Sequence, residues 1–449
     1  VTRHLIVGRL GASDRAAIPK AADEQMTQLR FGAPDSLAFG LGHALDDLRK
    51  LGLHPSETGA DLLVLAAHVH AADTRISRAS ESQDGWTREI RLVVPVSDPN
   101  LWQTTRQTLK RTLDFLTGDR WQIGFRARPR THHALVAAPD EQLGGIPYDG
   151  ISLFSGGLDS LIGAIDKLDA GHSPLFVSHA GESAVSTSQE TCFDGLRQHF
   201  QRNDLDRLRV WMTFPNGLVE GVESESTTRG RSFLFFALAA AAGTGLGRPF
   251  EVQVPENGLI ALNVPLDPLR LGAPSTRTTH PFYIARWNDL LGLLGVRGSL
   301  VNPYWDMTKG EMAAGCADQA LLMSLAAGSL SCSSPAKARW QGLPQGHCGH
   351  CLPCLIRRAS LLGRDPTPYI LGDLTAAKLD TRKAEGVQVR AFQLAIERLR
   401  RNPDLAVTLV HKPGSLADVP HQTAALADVY RRGLVEVGLL LRGVRAGPA

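Results

Sequence analysis

The sequence predicts an α/β fold: a doubly wound parallel sheet, preceded by an N-terminal α+β domain and followed by a helical C-terminal extension. From Gly150 to about Gly363, short apolar runs alternate with helical stretches, the pattern of strands buried between two layers of helices. Inside that region the segment Ser155-Gly156-Gly157-Leu158-Asp159-Ser160 follows an apolar run and precedes a helix-like stretch, so the chain turns from strand to helix on two glycines. Beyond Pro366, Val389, Phe392, Ile396 and Leu399 recur at helical spacing, which gives one apolar helix face.

A chain of 449 residues has room for two or three domains, each with its own core. We place the boundaries at 1–147, 148–364 and 365–449. The first segment has strand-like runs at Leu62 to Val69, Ile90 to Val96 and Trp121 to Phe125, with a helix around Leu101 to Leu116. On such a strand His68 and His70 share a face near Asp73; alternating histidines of this kind serve structure more often than metal. Ala138 to Tyr148, rich in Pro, Gly and polar residues, reads as a linker. In the second segment strands are expected at Ile151 to Phe154, Leu175 to Ser178, Leu208 to Trp211 and Phe250 to Val254, with a helix from Leu161 to Leu168. A further apolar helix is expected from Ala424 to Leu441.

Hydrophobic residues make up 43% and charged residues 21% of the chain, the balance of a globular protein rather than a disordered one. The net charge of +3 gives no basic stripe for nucleic acid and no argument for a membrane surface; an anionic ligand has to be met by local groups. Val1 to Gly8 lacks the pattern of a secretory leader and is too short to span a bilayer, so the expected location is the cytoplasm. Of six cysteines, Cys192 and Cys316 stand alone and read as core residues, whereas Cys332, Cys348, Cys351 and Cys354 fall within 23 residues. In a reducing compartment such clustering points to metal rather than disulfides.

Where a strand runs through glycines into a helix, backbone N–H groups converge on the positive end of the helix dipole, a setting that suits phosphate. Ser155 and Ser160 add hydroxyls, Gly156, Gly157 and Leu158 supply the backbone, and Asp159 is placed to hold magnesium (Mg2+). Gly-Gly alone reads equally as a capped turn; the six residues together are more specific, and no Gly-x-x-x-x-Gly-Lys-Ser/Thr loop occurs in the chain. The segment resembles the PP-loop, Ser-Gly-Gly-x-Asp-Ser, of the N-type ATP pyrophosphatases. That resemblance implies a PP-loop-type sheet and cleavage of ATP between the α- and β-phosphates, with adenylation of a substrate oxygen.

Cys332-x15-Cys348-x2-Cys351-x2-Cys354 suits tetrahedral zinc (Zn2+) with a closed, structural shell. An iron–sulfur cluster, or His347 or His350 in place of one cysteine, stays open as an alternative. A PP-loop followed by this cysteine pattern and a basic residue resembles the 7-cyano-7-deazaguanine synthase (QueC) family. Arg229-Gly230-Arg231-Ser232-Phe233-Leu234 is similar to that family's Gly-Arg-Asn-x-x-Phe-Leu stretch, with Ser232 where Asn is usual, and Thr308-Lys309-Gly310-Glu311 to its Thr/Asn-Lys-x-Glu segment. Thr308 and Glu311 also read as a helix capping box, which leaves Lys309, with Arg231, to neutralise phosphate.

The resemblance spans about Gly150 to Gly363. In the region that recognises the deazaguanine in that family, this chain has Pro255-Glu256-Asn257-Gly258 and Ser275-Thr276-Arg277-Thr278-Thr279-His280-Pro281; Arg277 and His280 read either as ligand groups or as part of a capped turn. A chain enlarged at both ends is similar to the defence-associated branch, typified by QatC of the Qat anti-phage system. The resemblance implies ATP-dependent adenylation of a 7-deazaguanine carboxylate followed by amide formation, with an operon-encoded protein as acceptor. The alternatives are housekeeping nitrile synthesis for the queuosine precursor, tRNA thiolation by a PP-loop enzyme, and a nucleotide-binding module without catalysis.

Overall fold

The computed structural model describes residues 2–138, 145–181, 183–266, 277–333, 335–336, 342 and 345–448. In the first segment the order is β1 (Arg3–Arg9), β2 (Glu24–Arg30), α1 (Leu41–Lys50), α2 (Glu57–Arg75), α3 (Arg78–Glu81), β3 (Glu89–Val96), α4 (Pro99–Thr104), α5 (Arg106–Thr117) and β4 (Arg120–Ala127). The four strands form one sheet in the order β2-β1-β3-β4, and every pairing is parallel. The expected α+β domain is therefore corrected to α/β.

Leu62 to Val69 is not a strand but the middle of α2, buried from Gly59 to Thr74. One side of α2 packs on β3 and the other on α8 (Arg231–Thr244). A helix covered on both sides has no polar stripe, so its apolar run loses the helical period. On this helix His68 and His70 are about 200° apart and do not share a face.

The second segment continues with β5 (Gly150–Leu153), α6 (Leu158–Asp169), β6 (Pro174–His179), α7 (Ser183–Phe200), β7 (Arg207–Val210), α8, β8 (Phe250–Gln253), α9 (Gly258–Leu262), α10 (Pro281–Leu293), β9 (Gly298–Val301), α11 (Lys309–Gly315), α12 (Gln319–Ala326) and α13 (Leu352–Ser360). Its five parallel strands stand in the order β7-β6-β5-β8-β9. Alternate strand residues enter different cores: Leu175 and Val177 join the cluster with α8 and α10, while Phe176 joins Leu161, Ile165, Cys192 and Leu196 of α6 and α7. Helices thus cover both faces, as a parallel sheet requires. The cluster on the α8 side runs from Ile6 to Leu300, so the first two segments share one core, with α2 and α8 side by side between the sheets.

The third segment holds β10 (Leu379–Asp380), α14 (Ala384–Arg401), α15 (Leu405–Leu409), α16 (Thr423–Leu440) and β11 (Ala446–Gly447). Val389, Phe392 and Leu399 are buried and Ile396 packs beside them. Their core includes Leu259 and Leu262 of α9 and Leu355 and Ile356 of α13, which seats the C-terminal helices against the second segment. No helix among the described residues is long and apolar enough to cross a membrane.

Candidate functional site

The strand order reverses direction at β5, with β6 on one side and β8 on the other, and the carboxyl ends of strands at such a switch point open a crevice. The Ser155–Ser160 segment lies there, joining β5 to α6. Gly156 has φ of 79°, and a Cβ on it would sit 2.9 Å from the backbone nitrogen of Gln189, so the turn admits glycine alone. Gly157 is the N-cap of α6. Ser160 Oγ donates to the Gly157 carbonyl at 3.0 Å and lies 3.1 Å from Ser155 Oγ, while Gly157 N donates to Ser155 Oγ at 3.3 Å. Hydroxyls and first-turn N–H groups gather at one helix start, an arrangement that favours an oxyanion. Gly156→Ala is expected to cost about 1–3 kcal/mol of stability and to abolish anion binding at the loop, read by denaturant unfolding and by titration with pyrophosphate.

Asp159 and Lys309, which the sequence places 150 positions apart, are paired: Lys309 Nζ is 2.8 Å from Asp159 Oδ1. Asn257 Nδ2 donates to Asp159 Oδ2 at 2.8 Å, with Asn257 N at 3.3 Å. Lys309 opens α11 within the expected capping box, in which Glu311 N donates to Thr308 Oγ1 at 3.1 Å and Thr308 N to Glu311 Oε2 at 2.8 Å. Two groups of α16 that the sequence reading missed clamp this turn: Glu436 accepts from Thr308 Oγ1 and from Gly310 N, and Arg432 pairs with Glu311. Nothing local marks them, because the contacts cross more than a hundred residues.

Glu256 lies beside this pair, and Thr279 Oγ1 donates to its carboxylate. Burial, aided by the nearby Asp159 charge, pushes its pKa up from 4.5 to about 7. An acid with a raised folded pKa binds more protons folded than unfolded, so stability falls as pH rises from 4.5 to about 7. Glu256→Gln is expected to flatten this part of the stability profile and to be the more stable form above pH 7, as urea unfolding across that range would read.

Arg231 is the first residue of α8, and its Nη2 donates to the His179 carbonyl at 3.3 Å at the end of β6. Gln189 Nε2 joins this point to the loop, reaching the Ser155 and His179 carbonyls at 3.4 and 3.3 Å. The first segment fixes the start of α8, since Gly230 N donates to Asp73 Oδ2 at 2.7 Å. Asp73 otherwise pairs with the buried Arg78 and Arg88, so it forms no ligand set with the histidines. His68 is held on the Val64 carbonyl at 2.7 Å, and the His70 ring meets that of His179 at 5.5 Å.

The capped-turn reading holds for His280, which accepts from Phe282 N at 3.2 Å ahead of Pro281. Arg277 Nη1 donates to the Phe115 carbonyl at 2.8 Å in the first segment. Ser275 and Thr276 lie outside the described residues. Ser232 is buried against the Tyr283 hydroxyl at 3.5 Å.

The sulfur atoms of Cys332, Cys348, Cys351 and Cys354 lie within 4.8 Å of one another, and together can hold a metal ion. Cys332 to Cys351 and Cys348 to Cys354 are each 3.9 Å, close to the ~3.8 Å edge of a zinc–thiolate tetrahedron with 2.3 Å bonds. The neighbouring cysteines, Cys332 first, push the Cys348 thiol below its usual range. His347 Nε2 is engaged by Ser331 N at 3.0 Å, and His350 sits beside Cys348, which holds its imidazole above the usual histidine range. Cys192 and Cys316 are buried, and burial pushes both thiols up to about 12, which makes them inert core residues.

No family model, curated protein or solved structure matches this chain. Its chemistry therefore rests on the geometry. The cysteine arm returns to the loop: Leu330 N donates to the Gly156 carbonyl at 2.8 Å, and Leu158 N to Ser331 Oγ at 3.4 Å. A glycine turn of a kind that suits an oxyanion, a buried lysine–carboxylate pair and a metal-capable cluster thus meet at the carboxyl end of the central strand β5.

Proposed function

We propose that this chain is a PP-loop-type ATP-dependent ligase that adenylates a 7-deazaguanine carboxylate and passes the acyl group to an amine, in an anti-phage defence system where the acceptor is a partner protein. The observation that carries this reading is the Ser155–Ser160 turn at the switch point of the sheet, with Lys309 and Asp159 beside it. A carboxylate has no adequate leaving group, so it must first be activated. One of its oxygens attacks the α-phosphorus of ATP and pyrophosphate leaves; the amine then adds to the acyl carbon and AMP departs with that oxygen.

The loop N–H groups, Ser155 and Ser160 receive the departing pyrophosphate, and Lys309 and Arg231 offset the charge that develops on the phosphates. Asp159 would hold magnesium, which supplies further charge neutralisation when bound; its present partners are Lys309 and Asn257, so Lys309 has to turn from the carboxylate to phosphate. The four cysteines would hold zinc with no open position, a structural role. Their free thiols suit a reducing compartment such as the cytoplasm. A small net charge and a closed cysteine set favour the ligase over RNA thiolation.

Mass spectrometry of products formed from ATP, magnesium, ammonia and 7-carboxy-7-deazaguanine tests the substrate class. The amide with AMP is the expected result. A nitrile would favour the housekeeping reaction, and absence of any deazaguanine product, with ammonia and with protein amines alike, would overturn the substrate assignment.

A further inference from the structure

Arg357 is fully buried on α13, yet each of its hydrogen-bond partners among the described residues is neutral. Its Nε and Nη2 bond Thr367 Oγ1 at 3.0 and 2.9 Å, Nη2 also bonds the Ala326 carbonyl, and Nη1 bonds Ser329 Oγ at 2.8 Å and Ser331 Oγ at 3.3 Å. Among the described residues no carboxylate pairs with it. A buried cation without a counter-charge is costly, and an anion bound nearby would relieve that cost.

Ser331 lies between this guanidinium and the glycine loop. Its backbone N–H is fixed on His347 Nε2, and its Oγ accepts from both Arg357 Nη1 and Leu158 N. A hydroxyl has two lone pairs and one proton. With both lone pairs engaged, the proton is the group left to donate, and among the described residues no acceptor takes it.

We propose that Ser331 is a phosphate-binding hydroxyl of the loop, with Arg357 as the positioning residue that orients it and supplies fixed positive charge from below. This rests on the pyrophosphate-leaving reading of the loop and adds to it a third hydroxyl, contributed by the cysteine arm. The cysteine cluster then has a role in binding, because the same short segment, Leu330 to Cys332, carries a metal-capable thiol at one end and loop contacts at the other.

Titration of the full chain with inorganic pyrophosphate and magnesium, followed by calorimetry, tests it. Ser331→Ala is expected to bind about tenfold more weakly, the loss of one charge-assisted hydrogen bond, with unchanged metal content and a small drop in melting temperature of the unliganded protein, since Leu158 N loses its acceptor while Arg357 Nη1 keeps Ser329 Oγ. Arg357→Lys keeps the charge but not the fork; it should weaken pyrophosphate binding and lower the melting temperature further than Ser331→Ala does, because bonds to Thr367 Oγ1 and the Ala326 carbonyl go as well. Wild-type affinity in a folded, metal-loaded Ser331→Ala protein would overturn the role of Ser331 and leave the loop reading intact. Failure of the wild-type protein to bind pyrophosphate would overturn both.

Discussion

Asp159→Ala is expected to lower AMP formation at least about a hundredfold and to destabilise the fold at the same time. Lys309 is 3% exposed and its ammonium lies 2.8 Å from the Asp159 carboxylate. Removing the acid leaves that charge buried and unpaired, a cost of about 3–5 kcal/mol, and deprives Asn257 of its acceptor. Asp159→Asn separates the two effects, since it keeps a side-chain partner for Asn257 but removes the negative charge. It should melt above the alanine variant and be equally inactive. Urea unfolding reads the first effect and quantified AMP the second; undiminished AMP formation in either variant would remove Asp159 from the chemistry.

Cys351→Ser is expected to lose stoichiometric metal and several kcal/mol of stability, because metal binding by such a set is part of folding. Cys351 caps α13 and its N–H donates to Cys348 Sγ at 3.3 Å, so the loss spreads to the helix that carries Arg357. Through Leu330 and Ser331 it also reaches the glycine loop. Elemental analysis and thermal unfolding check the prediction. A variant with full metal content and wild-type melting would show that three of the cysteines, or a different set, suffice.

The parts of the fold that were legible in the sequence are those with a local signal. The run from Ile151 into Ser155-Gly156-Gly157 marks its own strand, turn and helix, and Thr308 with Glu311 marks its own helix start. The four cysteines were legible because metal ligands combine tight spacing with one chemistry. Leu62 to Val69 was misread because α2 is enclosed by β3 and α8, and full burial erases the period that separates helix from strand. Ala66, Ala67, Ala71 and Ala72 favour helix, and a helix of the length of α2 exceeds an ordinary strand, but a short window over the apolar run conceals both.

The site partners supplied by distant segments carried no such mark. Glu436 and Arg432 meet the Thr308 turn only in three dimensions, and Arg357 looks like one basic residue among several after Cys354. Asn257 lies in a stretch that the family resemblance ties to substrate recognition, and nothing local marks its contact with Asp159. Sequence reading thus located the loop and the cluster separately; their connection through Ser331 belongs to the fold.

Carboxylate activation is tested most directly by following the substrate oxygen. With the carboxylate of 7-carboxy-7-deazaguanine labelled with heavy oxygen, the AMP released on acyl transfer should carry one heavy oxygen by mass spectrometry, because the oxygen that attacks the α-phosphorus leaves with AMP. Product formation with unlabelled AMP, or with ADP in its place, would contradict the acyl-adenylate and with it the proposed function.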